Sequence, residues 1–497
     1  MTASLPHPTS TADLDRALGE AWRLPTFETD PRPLSALAEK LENTPRSVPP
    51  DLPVELRRSA AAARDSSRAA GGGATISPGQ LVLEHSPNAL RTLSRELAAC
   101  VLVSSTNGKT TTASMLAAIL REAGLDVVHN RAGANVPAGI ASALLDDRGE
   151  IGVFEVDEAW LPLVAAELDP GVIVLGNLFR DRLDGYGELE AIASAWGAMA
   201  LRRRGTRLVL NADDPFTAHL ARSADGRVTL FGIEDAAVGL SGSEEAADAG
   251  RCRLCEARLD FETRMLSHLG HYRCDACGAA RPAPQVGARS VELVGATGSS
   301  FVAEGAAPGR IRLPVPGVFN VYNALAAAGA AVALKIDGSA IGRGLEAFRP
   351  AFGRGETIRI GSTELTVTLM KNPAGANALM RMLAADRDRR LSLLLALNDG
   401  GADGRDVSWI WDADFELLAS RAGPVVCAGR RAEELALRLK YAGWPTAGMR
   451  VERSIPPALD QALASAPAAL DVLPTYSALL ELYRELEERG LRRPFWA

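Results

Sequence analysis

The stretch CVLVSSTNGKTTTASML, residues 100–116, decides the fold class. It begins as an apolar β-run and passes through a polar turn. Ala113, Leu116, Ala117 and Leu120 then recur at helical spacing, and Gly124 suits the helix stop. A strand that turns straight into a helix leaves free backbone N–H groups at the positive end of the helix dipole, which is a cradle for phosphate. Gly108 lets the backbone approach phosphate oxygens, Lys109 supplies a point charge, and the Thr110 hydroxyl suits Mg²⁺. Thr106, Asn107 and Thr111 complete the stretch expected to hold a nucleotide. Val103 stands where the common phosphate loop needs Gly. The shorter form Gly-Thr-x-Gly-Lys-Thr nearly fits, departing only by Ser105 in its first Gly position.

Outward from this loop, IGVFEVD, GVIVLGN and TRLVLNADD read as buried strands, and ELEAIASAWGAMALRRRG as a helix between the last two. Such alternation predicts an α/β fold with a parallel sheet covered on both faces. From about residue 357 it restarts with LSLLLALND, GPVVCAG, AEELALRLKYAG and ALDVLPTY, predicting a second, Rossmann-like α/β domain. The expected division is an N-terminal extension over 1–55, partly helical and partly disordered, a central ATPase domain over 56–355 and a C-terminal domain over 356–497.

The net charge of −7 argues against a general nucleic-acid binder. No apolar run approaches the ~18 residues of a membrane span, and MTASLPHPTSTADLDR has neither the basic start nor the apolar core of a secretory signal. A cytoplasmic protein is expected. In a reducing compartment, Cys252, Cys255, Cys274 and Cys277, spaced C-x2-C-x18-C-x2-C, favour a metal over disulfides. The expectation is a closed Zn²⁺ ribbon inserted at about 243–284. His268 and His271 are expected to be exposed bystanders, and Cys100 and Cys427 core residues.

The short phosphate loop resembles that of the Mur ligase family, which includes folylpolyglutamate synthases, and later segments extend the resemblance. It implies a Mg²⁺-binding role for Glu155 in VFEVDEA. GNLFRDRLDGYG, residues 176–187, resembles the family's Asn-x-x-x-Asp-His-x-Asp run, with Arg182 in place of the His; LNADDP also matches. The resemblance further implies that Asn320 and Asn323 contact adenine and that Arg354 of FGRGE reaches the ATP phosphates. Many amino-acid-adding members use a carbamylated Lys, yet no Lys lies between 109 and 335 here. The amine-adding half of the reaction is therefore expected to differ.

The cysteine ribbon, KNPAGAN and LNDGGADGRDVSWIWDADFE together resemble the ligase-like subunits of lipid II isoglutaminyl synthases. That resemblance implies ATP- and glutamine-dependent amidation of the D-glutamate α-carboxylate of the lipid II stem peptide, through an acyl phosphate. The work would be done in the cytoplasm at the inner membrane face. Neither Cys100 nor Cys427 has the setting of a glutaminase nucleophile, so a GatD-like glutaminase partner is implied. This chain would complete the partner's triad with an aspartate: Asp412 first, Asp406 as the alternative, Asp403 third. Asp412 or Asp414 could instead cap the helix beginning FELLAS. Trp409 and Trp411 suit either a partner surface or the core, and Lys371 and Asn372 either a substrate contact or a plain turn. The competing reading is a stand-alone ligase adding an amino acid to a Mur or folate-type substrate.

Overall fold

The computed structural model describes residues 10–24, 30–69, 73–131, 133–180, 188–240, 249–294, 298–350, 352–385, 390–400, 403–466 and 468–493. A nine-stranded sheet carries the central domain. Its order from one edge is Val127–His129, Ile151–Glu155, Ala99–Ser104, Val172–Leu175, Arg207–Asn211, Val228–Ile233, Val286–Val294, Gly298–Glu304 and Arg310–Leu313. The first seven strands run parallel; Gly298–Glu304 pairs antiparallel to both Val286–Val294 and Arg310–Leu313, so it alone runs against the rest. Ala99–Ser104 shows why the sheet is covered twice. Leu102 enters one apolar layer with Phe154, Trp160 and Trp196, while Val101 and Val103 enter the other with Met115, Leu116 and Ala324. A strand apolar on both faces needs helices on both faces.

Ala99–Ser104 lies between Ile151–Glu155 and Val172–Leu175, so consecutive crossovers leave it in opposite directions. Ligands of open α/β sheets bind in the crevice at such a switch point. The helix Val318–Ala333 is rich in Ala and packs close to the sheet: a Cβ on its Gly329 would lie 2.9 Å from Val209 Cγ1.

A six-stranded sheet forms the second domain, in the order Arg354–Ile360, Thr363–Thr368, Ala469–Pro474, Leu391–Ala396, Ala422–Ala428 and Met449–Glu452. Its first pair is antiparallel and the rest parallel. The boundary expected at 355/356 thus falls inside a strand of the second sheet.

The N-terminal extension, expected to be partly helical and partly disordered, contributes the helices Thr11–Ala21 and Pro31–Asn43. Leu14, Leu18, Trp22, Leu34, Leu37 and Leu41 join the central core, Trp22 lies 5.9 Å from Trp160, and Arg46 forms a buried ion pair with Glu167. Ser10 and Asp30 cap these helices by accepting from Asp13 N and Arg32 N. The strands at 286–313 escape a search for apolar runs. They are half exposed, with Arg289, Ser290, Glu292 and Arg310 facing solvent. No described helix is long and apolar enough to cross a membrane.

Candidate active site and cysteine centre

At the switch point Ser104 ends its strand and the helix Lys109–Glu122 begins five residues later. Gly108 has φ +89°, and a Cβ there would lie 2.0 Å from Asn323 Oδ1. Only glycine meets both demands. Ser105 is tolerated in the first Gly position because its hydroxyl turns inward and donates to Asn107 O at 2.7 Å.

Lys109 Nζ donates to Ser105 O at 2.6 Å and Glu158 Oε2 at 2.7 Å. Thr110 Oγ1 donates to Glu155 Oε2 at 2.7 Å, and Arg354 Nη2 donates to Thr110 Oγ1 at 3.3 Å across the domain boundary. Burial pushes the Glu155 carboxyl above its ordinary range, against the Thr110 hydroxyl and the charge of Arg354. Glu155 Oε1 is buried and finds no hydrogen-bond donor among the described residues. An orphaned carboxylate oxygen beside a threonine hydroxyl is a hard oxygen donor set, which fits Mg²⁺. Burial and the neighbouring Glu158 charge push Asp157 up to about 6, opposed by Lys109.

Thr112 Oγ1 donates to Asn323 Oδ1 at 3.3 Å, Asn323 Nδ2 to Asn320 Oδ1 at 3.1 Å, and Asn320 Nδ2 to Pro316 O at 2.7 Å. The two asparagines therefore form one buried chain beside the loop. Asn372 was open between a contact and a turn. Its side chain is buried and exchanges two amide hydrogen bonds with Asn107, 3.2 and 3.1 Å, directly across the domains. It also accepts from Gly375 N at 2.9 Å, at the start of the helix Pro373–Ala385.

The structure thus brings Thr106, Asn107, Gly108, Lys109, Thr110, Thr111, Glu155, Asn320, Asn323 and Arg354 to one crevice. Asp412 and Asp406 belong to another region of the C-terminal domain, around the short 3-10 helix Ser408–Asp412. Asp412 is exposed there, and among the described residues its carboxylate has no hydrogen bond or ion pair. Asp406 accepts from Ser408 N at 2.8 Å. Asp403 is bonded to Ser477, and Asp414 meets Arg381 at 3.1 Å. Trp409 is buried while Trp411 is 48% exposed, 5.7 Å from the ring of Tyr441, so these two Trp residues part company. Residues 181–187, including Arg182, lie outside the described residues. Sequence reasoning missed Glu158 as the partner of Lys109. The signal available was a second glutamate three positions after Glu155.

The four cysteines converge 19 to 25 residues apart in sequence. Sγ of Cys252 and Cys277 lie 3.6 Å apart, as do those of Cys255 and Cys274, and all four fall within 4.8 Å of one another. A tetrahedron with Zn–S of about 2.3 Å has edges near ~3.8 Å, so four thiolates at this spacing fit Zn²⁺. Among the described residues the local core is small: Leu259, Tyr272 and Ala218 are buried around Cys252 and Cys274, with Ala257, Phe261 and Ala279 partly buried against them. A segment that small gains its folding energy from a metal. Elemental analysis should find one zinc per chain. Cys274→Ser should remove it and lower the unfolding temperature; a metal-free protein with an unchanged melting profile would rule the centre out.

Cys100 and Cys427 are buried, as expected. The expectation of exposed histidines fails. His268 is fully buried, and His271 is half buried with Nε2 2.8 Å from Ile233 O. Both lie on the ribbon's hairpin, which packs on the sheet instead of standing in solvent.

Residues 103–270 match the Mur ligase middle domain and residues 369–479 the MurT ligase C-terminal domain. The chain is 34% identical to a lipid II isoglutaminyl synthase (glutamine-hydrolyzing) subunit MurT of Staphylococcus aureus, over 76% of this chain and 86% of that protein. It is 34% identical to the subunit of the same name from Streptococcus pneumoniae, over 85% of this chain and 94% of that one. Among solved structures, a pseudomurein peptide ligase type C from Methanothermus fervidus superposes with a TM-score of 0.60 at 25% identity, covering 81% of each chain.

Proposed function

This chain belongs to the Mur ligase family, in the MurT branch, and from that premise we propose that it is the ligase-type subunit that amidates the D-glutamate α-carboxylate of the lipid II stem peptide. ATP is the phosphoryl donor, and ammonia from a GatD-like glutaminase subunit is the amine. The observation that carries this reading is the C-terminal domain. It matches the MurT type over 369–479 and is joined to the phosphate loop by the Asn107–Asn372 amide pair.

In this reading the loop N–H groups and Lys109 hold the β- and γ-phosphates, with Lys109 leaving Glu158 for phosphate oxygens. Arg354 approaches the same phosphates from the second domain, and Asn320 and Asn323 receive the adenine. Thr110 and Glu155 would hold Mg²⁺, which would supply charge neutralisation to the transferring phosphoryl group. The stem-peptide carboxylate attacks the γ-phosphorus, giving an acyl phosphate and ADP. Ammonia then attacks the acyl carbon, a proton is lost, and phosphate leaves. No Lys between 109 and 335 is available for carbamylation, which suits ammonia, an amine small enough to need no amino-acid pocket.

Lone-pair ammonia is scarce at neutral pH, so supply by a docked glutaminase is the economical source. Trp411, Leu417, Leu437 and Tyr441, 43–71% exposed, offer the C-terminal domain an apolar docking face beside Asp412. The test is lipid II treated with ATP and glutamine in the presence of the copurified glutaminase. Mass analysis should find the amide in place of the acid. Dependence on an added amino acid instead would favour a stand-alone ligase.

A further inference from the structure

The tip of the cysteine hairpin is buried, whereas loop tips normally run over the surface. Strands Asp260–Leu266 and Leu269–Arg273 pair with Leu266 opposite Leu269, so Ser267 and His268 form the turn. Ser267 adopts φ +51°, a left-handed conformation that costs a non-glycine residue energy. Both residues are at most 2% exposed. The His268 ring lies 4.8 Å from Phe179 and 6.2 Å from Phe216, with Nε2 3.6 Å from Asp214 Oδ1. Among the described residues neither ring nitrogen has a hydrogen-bond partner. Leaving such groups unpaired is unfavourable. A leucine or phenylalanine plug would avoid that cost.

What His268 touches is the segment that grips the phosphate loop. Asp214 Oδ2 accepts from Leu178 N at 2.8 Å and its Oδ1 from Phe216 N at 2.8 Å. Next to Leu178, Asn177 Oδ1 accepts from Asn107 N at 2.9 Å, and its Nδ2 donates to Asn107 O at 3.0 Å. On the other side, Phe179 N donates to Thr106 Oγ1 at 3.0 Å, and that hydroxyl donates to Phe179 O at 3.2 Å. The hairpin is tied to the adjacent aspartate as well. Gly270 N donates to Asp213 O at 2.9 Å, and Arg281, just past the last cysteine, pairs with Asp213 at 2.5 Å and Glu234 at 2.6 Å.

We propose that the ribbon hairpin is a brace for the nucleotide site and that His268 is its positioning residue, acting through Asp214 and Phe179 on the Asn177–Phe179 segment that holds Thr106 and Asn107. The 3.6 Å gap to Asp214 is just beyond hydrogen-bond length, and a shift of under about 1 Å closes it. A hydrogen bond there stiffens the segment under the loaded phosphate loop. The inference rests on the reading that this loop binds ATP.

The experiment compares wild type, His268→Phe and His268→Gln as the complex with the glutaminase. It measures the Kd for ATP, and the KM values for ATP and lipid II in the ammonia-driven reaction. Phe keeps the ring contacts and removes both nitrogens; Gln restores a side-chain donor. ATP affinity should fall about tenfold in His268→Phe, the worth of one hydrogen bond to a charged group. KM for lipid II should stay put, and Gln should recover part of the loss. Wild-type ATP affinity in a folded His268→Phe would overturn the proposal. A loss confined to kcat, with both KM values unmoved, would do the same, because that marks only fewer folded molecules. If His268→Phe does not fold, His268→Leu, which likewise lacks a ring nitrogen, decides by the same criteria, an ATP KM raised without the lipid KM being the supporting result. Failure of wild type itself to bind ATP would strike the proposed function, not the brace alone.

Discussion

Replacing Lys109 with Met should cut ammonia-driven ADP release and amidation by about 10²–10³-fold, the usual loss when one preorganised charge-stabilising group is removed from a water-poor site. Lys109 is 9% exposed, and so is worth far more to a developing phosphoryl charge than a solvated lysine. The substitution has a second consequence. Glu158, 10% exposed, loses its partner, and breaking a buried ion pair costs about 3–5 kcal/mol of stability. The double variant Lys109→Met/Glu158→Gln separates the two effects. It should regain the melting temperature without regaining ADP release. Glutaminase binding should survive in both, because the exposed aromatic face lies on the other domain. A folded double variant that turns over ATP like the wild type would remove the phosphate loop from the mechanism.

Asp412→Ala should abolish glutamine-driven amidation and spare the ammonia-driven reaction. Removing the group that orients a catalytic imidazole costs about 10⁴-fold in a Ser-His-Asp triad, and a Cys–His pair in the partner has the same need. Five aspartates lie in this stretch, and the structure separates them by what they already hold, Asp399 pairing with Arg431 at 3.5 Å. Asp403 is bound to Ser477, Asp414 to Arg381, and Asp406 accepts from its own loop at Ser408 N. Asp412 is exposed at the end of the 3-10 helix beside Trp411. Equal loss of both reactions would move Asp412 to the synthetase site. Unchanged glutamine-driven activity, with Asp406→Ala defective instead, would transfer the role to Asp406.

The two centres differ in how far they could be read from residues alone. Ala99–Ser104 and the helix at Lys109 were legible because strand, turn and helix are consecutive and their chemistry is local: free N–H groups, Gly108 at positive φ, a lysine and a threonine. The ribbon was legible because tetrahedral thiolate binding imposes its own spacing. The inserted segment's environment was not. Hydrophilic residues near the cysteine cluster look solvated in sequence, yet the hairpin turns His268 inward onto Phe179 and Asp214. The packing of the N-terminal helices on the central core was hidden for a related reason. Their apolar stripes over Leu14–Leu18 and Leu34–Leu41 are short, and they are stable only because the central core covers them.

What the sequence determined by itself was therefore everything set by adjacency and period: two α/β units, a phosphate-binding turn and a four-thiolate ribbon. Only the tertiary structure decided which groups meet across a distance. It paired Lys109 with Glu158 and Asn107 with Asn372, put Trp409 inside and Trp411 outside, and set Arg354 over Thr110. Periodicity states which face of an element is apolar and must be covered; it carries no information about which distant residue does the covering, because that is fixed by how the faces pack.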